Sequence, residues 1–199
     1  MRITGWAVVL LYCTNVAQAV PVLSGPIFDP ANGRQYYLLD KSTWSAAESQ
    51  AVAMGGHLAT IRNQSENDFV FNTFSHFAGE PRDLWIGLSD AGHEGTFTWS
   101  SGLPLTFSNF QINQPDNGAG DPTSGAENYV HMNTQRGARP HVTGWIDGKW
   151  NDFQDVDSYT YFGGIATQTI DGVVETPEPG AISLVAIGVM LVSRRTRRK

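Results

Sequence analysis

Apolar side chains recur every three or four positions in two segments of the first half of the chain, a spacing that predicts two amphipathic helices. Ser42 or Thr43 can cap the first helix, which would stop at Gly55-Gly56. Ser65 with Asp68 would open the second helix. The side chains expected on the inward faces are Trp44, Ala47, Ala51 and Met54 in the first helix, and Val70, Phe74 and Phe77 in the second.

Three shorter segments have the pattern of strands. Tyr36 to Leu39 is mostly apolar, Trp85 to Leu88 predicts a buried strand, and Thr96 to Trp99 alternates like a half-exposed one. From Gln111 to Asp147, glycine, proline, asparagine and other polar residues dominate, and a loop of that length inside a compact domain is usually functional. Together these patterns predict one α+β domain.

The start of the chain has the composition of a targeting signal. Arg2 precedes a mostly apolar stretch from Ile3 to Cys13, and Ala17-Gln18-Ala19 has the small-x-small pattern of a signal peptidase site. Residues 1–19 are therefore predicted to be a signal peptide, with the mature chain starting at Val20. The alternative is an N-terminal membrane anchor, but the apolar run is about half of the ~20 residues that a spanning helix needs.

The other end combines three features. Pro177-Glu178-Pro179 precedes an apolar run from Ala181 to Val192, which is followed by a basic terminus from Arg194 to Lys199. As a helix the run would span about 18 Å, short of the ~30 Å hydrocarbon core, which favours transient membrane association over a permanent anchor. This order resembles the PEP-CTERM sorting signal of Gram-negative bacteria. The resemblance implies an exosortase as partner, cleavage near the prolines, and an exported protein at the cell surface or outside the cell.

Charge is distributed unevenly along the chain. The net charge is −6, yet residues 20–175 contain 7 basic and 18 acidic side chains. A body this acidic disfavours nucleic acid as a partner, because phosphates would be repelled. It suits a cation-binding protein or simply a soluble exported one. Hydrophobic residues make up 41% of the chain, enough for a core, which excludes a disordered chain.

Five motifs follow one another along the body of the chain: Gly55 to Ile61, Trp85 to Asp90, Gln114-Pro115-Asp116, Glu127 to Val130, and Trp150-Asn151-Asp152. Taken in this order, they resemble the motifs of the C-type lectin-like domain. The first matches the opening half of that family, and the second matches its most diagnostic strand. The resemblance implies an α+β fold with two helices, antiparallel sheets and a long calcium-binding loop. The predicted organisation is a signal peptide at 1–19, a leader at 20–26, the lectin-like domain at 27–168, a linker at 169–176 and the sorting signal at 177–199.

The cysteines usual in this family are absent from the body. The single cysteine, Cys13, lies in the predicted signal peptide, so the mature chain would contain no disulfide. Ala51, Tyr129 and Asp155 stand where the family carries cysteines. Loss of a disulfide typically removes ~2–5 kcal/mol from a small domain, so other contacts are expected to compensate.

The resemblance also implies a calcium site. Gln114 and Asp116 flank a proline whose peptide bond is cis in the family, Glu127 lies at the far end of the loop, and Asn151 and Asp152 come from the next strand. Ca²⁺ takes six to eight oxygen ligands. These five side chains would supply three carboxylates and two amide oxygens, leaving open positions for two vicinal sugar hydroxyls. The alternative is a lectin-like loop that has lost calcium.

A second calcium ion is implied by the same resemblance. Asp90, Glu94 and Asn117 match positions that build an auxiliary site in the family, where Glu127 is shared. The alternative is that Asp90 and Glu94 are solvated turn residues.

Other candidate chemistry is weaker. His57 is expected to be a core histidine, and His131 alternates with Val130 and Met132 on a strand, without the ligand spacing of a zinc site. No Gly-x-Ser-x-Gly motif supports a hydrolase.

The predicted function is therefore calcium-dependent carbohydrate binding rather than catalysis, for instance on exopolysaccharide. In the family, Gln-Pro-Asp accompanies galactose-type ligands, which favours galactose over mannose here. The alternative function is a structural or protein–protein interaction module in which calcium only orders the loop.

Overall fold

The computed structural model describes residues 19–118, 126–134, 146–160 and 167–177. Within these ranges the chain forms two α-helices, one short 3-10 helix and nine strands. The helices are α1 (Trp44–Ala53) and α2 (Gln64–Phe74), and the 3-10 helix is Phe77–Gly79. The strands are β1 (Val22–Asp29), β2 (Arg34–Lys41), β3 (His57–Leu58), β4 (Asp83–Ser89), β5 (Thr98–Trp99), β6 (Tyr129–Met132), β7 (Trp150–Phe153), β8 (Ser158–Thr160) and β9 (Thr167–Pro177).

The described strands form one mixed sheet in the order β1-β2-β9-β4-β6-β7, with β3 and β8 paired to β9 and β5 paired to β4. Every pair is antiparallel except β4 and β9, which run parallel. Parallel neighbours need a long crossover connection, and the chain between β4 and β9, which carries the candidate site, provides it. The predicted α+β class with two helices is confirmed.

Helix α1 forms where its pattern predicted. Thr43 Oγ1 accepts a backbone N–H of the first turn at 3.2 Å and so caps the helix. Ala47 and Ala51 are fully buried. The indole N–H of Trp44 donates to the carbonyl of Ile86 at 2.8 Å, which fixes the helix against β4.

Helix α2 begins earlier than predicted, because its cap is Asn63 and not Ser65. Asn63 Oδ1 accepts the N–H of Glu66 at 3.0 Å, and the Glu66 carboxylate accepts the N–H of Arg62 at 2.6 Å. This reciprocal arrangement is similar to a capping box and ties the start of the helix to the preceding turn. The helix also ends before Phe77, which lies in the 3-10 helix beyond it.

Strand β4 passes unusually close to its neighbours at Gly87. A Cβ atom there would lie 2.6 Å from the carbonyl oxygen of Leu58 and 2.8 Å from Ser100 Oγ. The N–H of Gly87 donates to Ala59 at 2.9 Å, and its carbonyl accepts from Ser100 at 2.7 Å. Glycine is therefore required by the close approach of the chain on both sides.

Packing and hydrogen bonds occupy the positions where the family carries cysteines. Ala51 is fully buried, and Tyr129 stacks on Trp44 with ring centroids 4.8 Å apart. The Asp155 carboxylate accepts hydrogen bonds from the backbone N–H and the hydroxyl of Ser45 at 3.0 and 2.6 Å. These contacts hold the start of α1 against the sheet without a covalent link.

An aromatic cluster supports the edge of the sheet that carries β7. Trp150 is fully buried, and its indole N–H donates to Asn67 Oδ1 at 2.7 Å. The rings of Trp99, Phe107 and Phe110 meet it edge-on, with centroids 5.9, 5.7 and 5.8 Å away. Asn151 and Asp152 follow Trp150 directly, so the packing around this ring fixes the position of the backbone that carries their side chains.

The predicted boundaries of the lectin-like domain are too narrow at both ends. β1 begins at Val22, inside the predicted leader 20–26, and pairs with β2. β9 runs through the predicted linker 169–176 and lies between β2 and β4 in the sheet. Ile170, Val173 and Val174 are fully buried, so this segment belongs to the core.

The polar residues of β9 explain why its sequence suggested a linker. Asp171 is buried but forms an ion pair with Arg82, and buried Glu175 is bonded by Arg62 at 2.6 Å and lies 3.1 Å from Arg34. A buried carboxylate is tolerated when it is paired in this way. The partners lie far away in sequence, so no local pattern indicated them.

The predicted signal peptide and sorting signal lie outside the described residues, apart from Ala19 and Pro177. In the part of the chain that is described, neither helix has the length and apolar character needed to span a membrane.

Candidate metal and carbohydrate site

Three carboxylates converge where the long loop meets β7. Asp116, Glu127 and Asp152 each offer one oxygen, and these atoms lie within 4.8 Å of one another. Glu127 and Asp152 are buried, and Asp116 is half-buried. In the described ranges this is the only cluster of three or more histidine, cysteine or acidic side chains with such spacing. Like charges this close repel one another, so a bound cation would stabilise them.

The loop backbone holds Asp152 directly. The N–H of Asp116 lies 3.1 Å from both Asp152 carboxylate oxygens, and the N–H of Asn117 donates to one of them at 2.8 Å. Asn117 has a φ of 50°, in the left-handed region that asparagine tolerates, and its Oδ1 accepts the N–H of Glu127 at 2.8 Å. Asn117 therefore ties together the three segments that carry the carboxylates.

The environment of Asp152 penalises its negative charge. Burial raises the pKa of its carboxyl group above the ordinary value, and the N–H groups of Asn117 and Asp116 oppose that rise. The nearby charge of Asp116 adds to it. A cation would offset both the burial and the repulsion.

Two amide oxygens of the predicted ligand set are buried without a donor. Gln114 Oε1 and Asn151 Oδ1 accept no hydrogen bond from any residue that the structure describes. A buried acceptor left unpaired costs about 1–3 kcal/mol, whereas a metal ion can satisfy it. The peptide bond between Gln114 and Pro115 is cis, as the family resemblance implied.

These donors suit calcium better than zinc. The set contains carboxylate and amide oxygens and neither imidazole nor thiolate, and Ca²⁺ prefers oxygen ligands whereas zinc sites in proteins favour nitrogen and sulfur. The segments 119–125 and 135–145, which flank the site in sequence, lie outside the described residues.

The residues predicted for a second calcium ion are less well assembled. Asp90 is buried: its Oδ2 accepts the N–H of Gly95 at 2.8 Å, and its Oδ1 has no hydrogen-bond partner among the described residues. Glu94 is exposed, and the side-chain oxygen of Asn117 is bonded to the loop. Neither Asp90 nor Glu94 belongs to the carboxylate cluster. The second ion stays a prediction.

The structure places two histidines differently from what the sequence suggested. His57 was expected in the core, but its side chain is 41% exposed and pairs with Glu48 at 2.6 Å. Successive side chains of a strand point to opposite sides, and on β3 it is the neighbouring Leu58 that is fully buried. His131 is buried and lies opposite Asn151 in the β6–β7 register. Sequence reasoning assigned it no role, since that register exists only once the two strands have paired.

The chain belongs to the C-type lectin domain family. The family model for the lectin C-type domain matches residues 40–161, more than half of the chain. C-type lectin domains are binding modules and not enzymes, and lectins of this family are secreted or extracellular.

Individual relatives show the range of the family. The alpha-N-acetylgalactosamine-specific lectin of Patiria pectinifera is 31% identical over 147 residues, which cover 71% of this chain and 79% of that protein. The type-2 ice-structuring protein of Hemitripterus americanus is 38% identical over 81 residues, 41% of this chain and 46% of that protein. The crystal structure of the cow CD23 carbohydrate-recognition domain, determined with a GlcNAc2Man3 oligosaccharide, is similar at a TM-score of 0.52 and 27% identity, and the match covers 73% of this chain and 88% of that one. The chain spans less than half of the length of four of the curated relatives that it matches, that protein included, between 13% and 46%.

Proposed function

We propose that the domain binds carbohydrate through a calcium ion held by Gln114, Asp116, Glu127, Asn151 and Asp152. The observation that carries this proposal is the pair of buried amide oxygens without donors in the segments that bring three carboxylates together. Family membership supports it, because C-type lectin domains typically bind calcium and many relatives are sugar-binding lectins.

Calcium, when bound, supplies coordination positions for two vicinal hydroxyls of a sugar. The chain contributes the pattern of donors and acceptors around those hydroxyls. Asp116 accepts hydrogen bonds from a hydroxyl, whereas the amide nitrogen of Gln114 donates. Affinity then comes from the metal, and specificity comes from the order of amide and carboxylate.

That order favours a galactose-type ligand. In the lectin family, Gln-Pro-Asp accompanies galactose and Glu-Pro-Asn accompanies mannose, because exchanging amide and carboxylate reverses which side of the site donates. Here Asn117-Gly118-Ala119-Gly120 follows the motif, and galactose binders often place an aromatic ring in that segment. Without a ring to stack on the sugar, worth about 1 kcal/mol, selectivity should be modest.

A glycan-binding screen with calcium and with EDTA tests the proposal. Metal-dependent binding that prefers galactose or N-acetylgalactosamine is the expected result. The double substitution Gln114→Glu with Asp116→Asn should shift the preference towards mannose. Calcium binding without glycan binding would instead identify an interaction module whose loop calcium orders, and the absence of both would refute the site.

We also propose that the protein acts at the cell surface or in extracellular matrix, for instance on exopolysaccharide. The two predicted terminal signals would direct export, and an exosortase would act on the predicted sorting signal. The acidic body of the chain is consistent with a protein that holds a cation.

A further inference from the structure

A pocket of about 350 Å³ lies where the start of β2, the strand β3 and the end of β9 meet. Pockets that hold small molecules measure about 300–1,000 Å³, so this one suits a single sugar unit. None of the proposed calcium ligands lines it, and β4 and β6 separate β9 from β7 in the sheet. The pocket is therefore distinct from the calcium site.

The turn after α1 forms one wall of the pocket. Gly55 and Gly56 line it, and a Cβ atom on Gly56 would collide with the carbonyl oxygen of Glu175. A Cβ atom on Gly55 would meet nothing within 4 Å, so that side of the turn borders open space. The turn can lie against β9 because glycine has no side chain to keep the two backbones apart.

Two arginines of the pocket share one buried carboxylate. Arg62 Nη2 donates to Glu175 Oε1 at 2.6 Å, and Arg34 Nη1 lies 3.1 Å from the same oxygen. Arg62 has a second carboxylate partner in Glu66 at 3.1 Å, whereas Arg34 pairs only with Glu175 among the described residues. The pair engages Nη1 of Arg34, and a guanidinium also carries donors on Nε and Nη2. With its side chain 35% exposed, Arg34 can offer these donors to a ligand.

A pair of hydroxyls and an apolar side chain complete the lining. Thr60 Oγ1 and Ser101 Oγ lie 2.7 Å apart, so one hydroxyl donates to the other and one hydroxyl hydrogen is left for a ligand. Leu103 is 40% exposed and adds an apolar surface. The planar guanidinium matches a carboxylate with two parallel hydrogen bonds, and the hydroxyls suit the hydroxyls of a sugar ring.

Charge favours an acidic ligand at this place on the protein. Residues 20–175 contain 7 basic and 18 acidic side chains, and two of those basic side chains, Arg34 and Arg62, line this pocket. Much of the remaining surface would repel an anion. We propose that the pocket binds a uronic acid unit of an acidic saccharide, with Arg34 holding the carboxylate and Ser101 and Thr60 bonding ring hydroxyls. This goes beyond the proposed function, because neither calcium nor its ligands take part.

NMR titration of the full chain in EDTA tests the pocket with the calcium site emptied. Glucuronate should give saturable shifts of the backbone amide signals of Gly55, Ser101 and Leu103. Glucose, which lacks the carboxylate, and acetate, which lacks the ring, should each bind at least about 10-fold more weakly. An equal response to glucose would overturn the role of the carboxylate, an equal response to acetate would leave a general anion site and overturn the sugar, and no response to glucuronate would overturn the site.

A pair of matched variants tests the role of Arg34. Arg34→Gln should weaken glucuronate binding by about 10-fold or more, because hydrogen bonds between charged groups are the strong ones. Lys41→Gln makes the same charge change on the same strand, at an exposed position outside the pocket, and should stay within about 2-fold of wild type. An equal loss in both variants would mean that binding follows net charge alone and would overturn the proposal.

A second variant keeps the proposal testable if Arg34→Gln does not fold. Ser101→Ala leaves both arginines paired with Glu175 and should weaken glucuronate binding by about 3-fold or more. Unchanged affinity would overturn the assignment of the hydroxyls.

The two binding sites can fail independently of each other. Glucuronate affinity should be the same in calcium and in EDTA to within about 2-fold, and binding that needs calcium would move the ligand to the calcium site and overturn this pocket. Galactose binding in calcium without glucuronate binding in EDTA would overturn the pocket and leave the proposed function standing. Glucuronate binding in EDTA without any calcium-dependent sugar binding would support the pocket and refute the proposed function.

Discussion

Calcium should stabilise the folded domain, and the carboxylate cluster gives the effect an unusual signature. Asp116, Glu127 and Asp152 have oxygens within 4.8 Å of one another. At an effective dielectric constant of about 20, two unit charges at that separation repel by about 3 kcal/mol. Asp116→Asn removes one of the three charges, so it should stabilise the calcium-free protein even though it weakens the calcium site.

The expected size of the stabilisation follows from the linkage between calcium binding and folding. Free calcium at about 100 times its dissociation constant stabilises the folded state by about 2.7 kcal/mol. For a domain of this size that corresponds to a rise in Tm of about 5–10 °C. Water screens half-buried Asp116, so the gain from Asp116→Asn in EDTA should be nearer to 1 kcal/mol than to the full pairwise repulsion.

Thermal unfolding followed by circular dichroism, in calcium and in EDTA, measures both effects. Wild type should unfold at a higher temperature in calcium than in EDTA. The midpoint of Asp116→Asn should equal or exceed that of wild type in EDTA and lie below that of wild type in calcium. Glu80→Gln makes the same charge change at an exposed position and should respond like wild type. Equal wild-type midpoints in the two conditions would refute the reasoning. So would an Asp116→Asn variant whose midpoint is below that of wild type both in calcium and in EDTA.

Three further predictions concern the fold and the tail. Gly87→Ala forces a Cβ against the backbone of β3 and should destabilise the domain by about 1–3 kcal/mol in urea unfolding, whereas Gly92→Ala, which meets nothing within 4 Å, should change it by less than about 0.5 kcal/mol. Arg82→Ala removes the ion-pair partner of the buried Asp171 carboxylate and should cost about 3–5 kcal/mol at neutral pH. Burial already raises the pKa of Asp171, against the opposing charge of Arg82, so this loss should shrink as the pH falls and the carboxyl group takes up a proton; a loss that grows towards acid would contradict it. Mass spectrometry of the protein from its own cells should find the exported form without residues 194–199, and an intact tail on most molecules would argue against processing.

Local patterns predicted both helices and several of the described strands, but not the limits of these elements. The apolar spacing around Ala47 and Ala51 located α1, since a helix that covers a core shows its periodicity in the sequence itself. The same kind of reasoning missed β9, because its carboxylates Asp171 and Glu175 are neutralised by arginines distant in the chain. It also placed the cap of α2 at Ser65 instead of Asn63, an error of two residues in a segment with several capping side chains.

For the candidate site, the sequence by itself determined the inventory of oxygen donors and their order along the chain. It could not determine that Asp152 would accept the N–H groups of the loop, or that His131 would lie beside Asn151. The physical reason is that residue types are read along the chain, whereas these contacts depend on the register of β6 on β7 and on the turn at Asn117. A one-residue slip between the two strands would put His131 and Asn151 on opposite faces of the sheet, and only the packed tertiary structure excludes it.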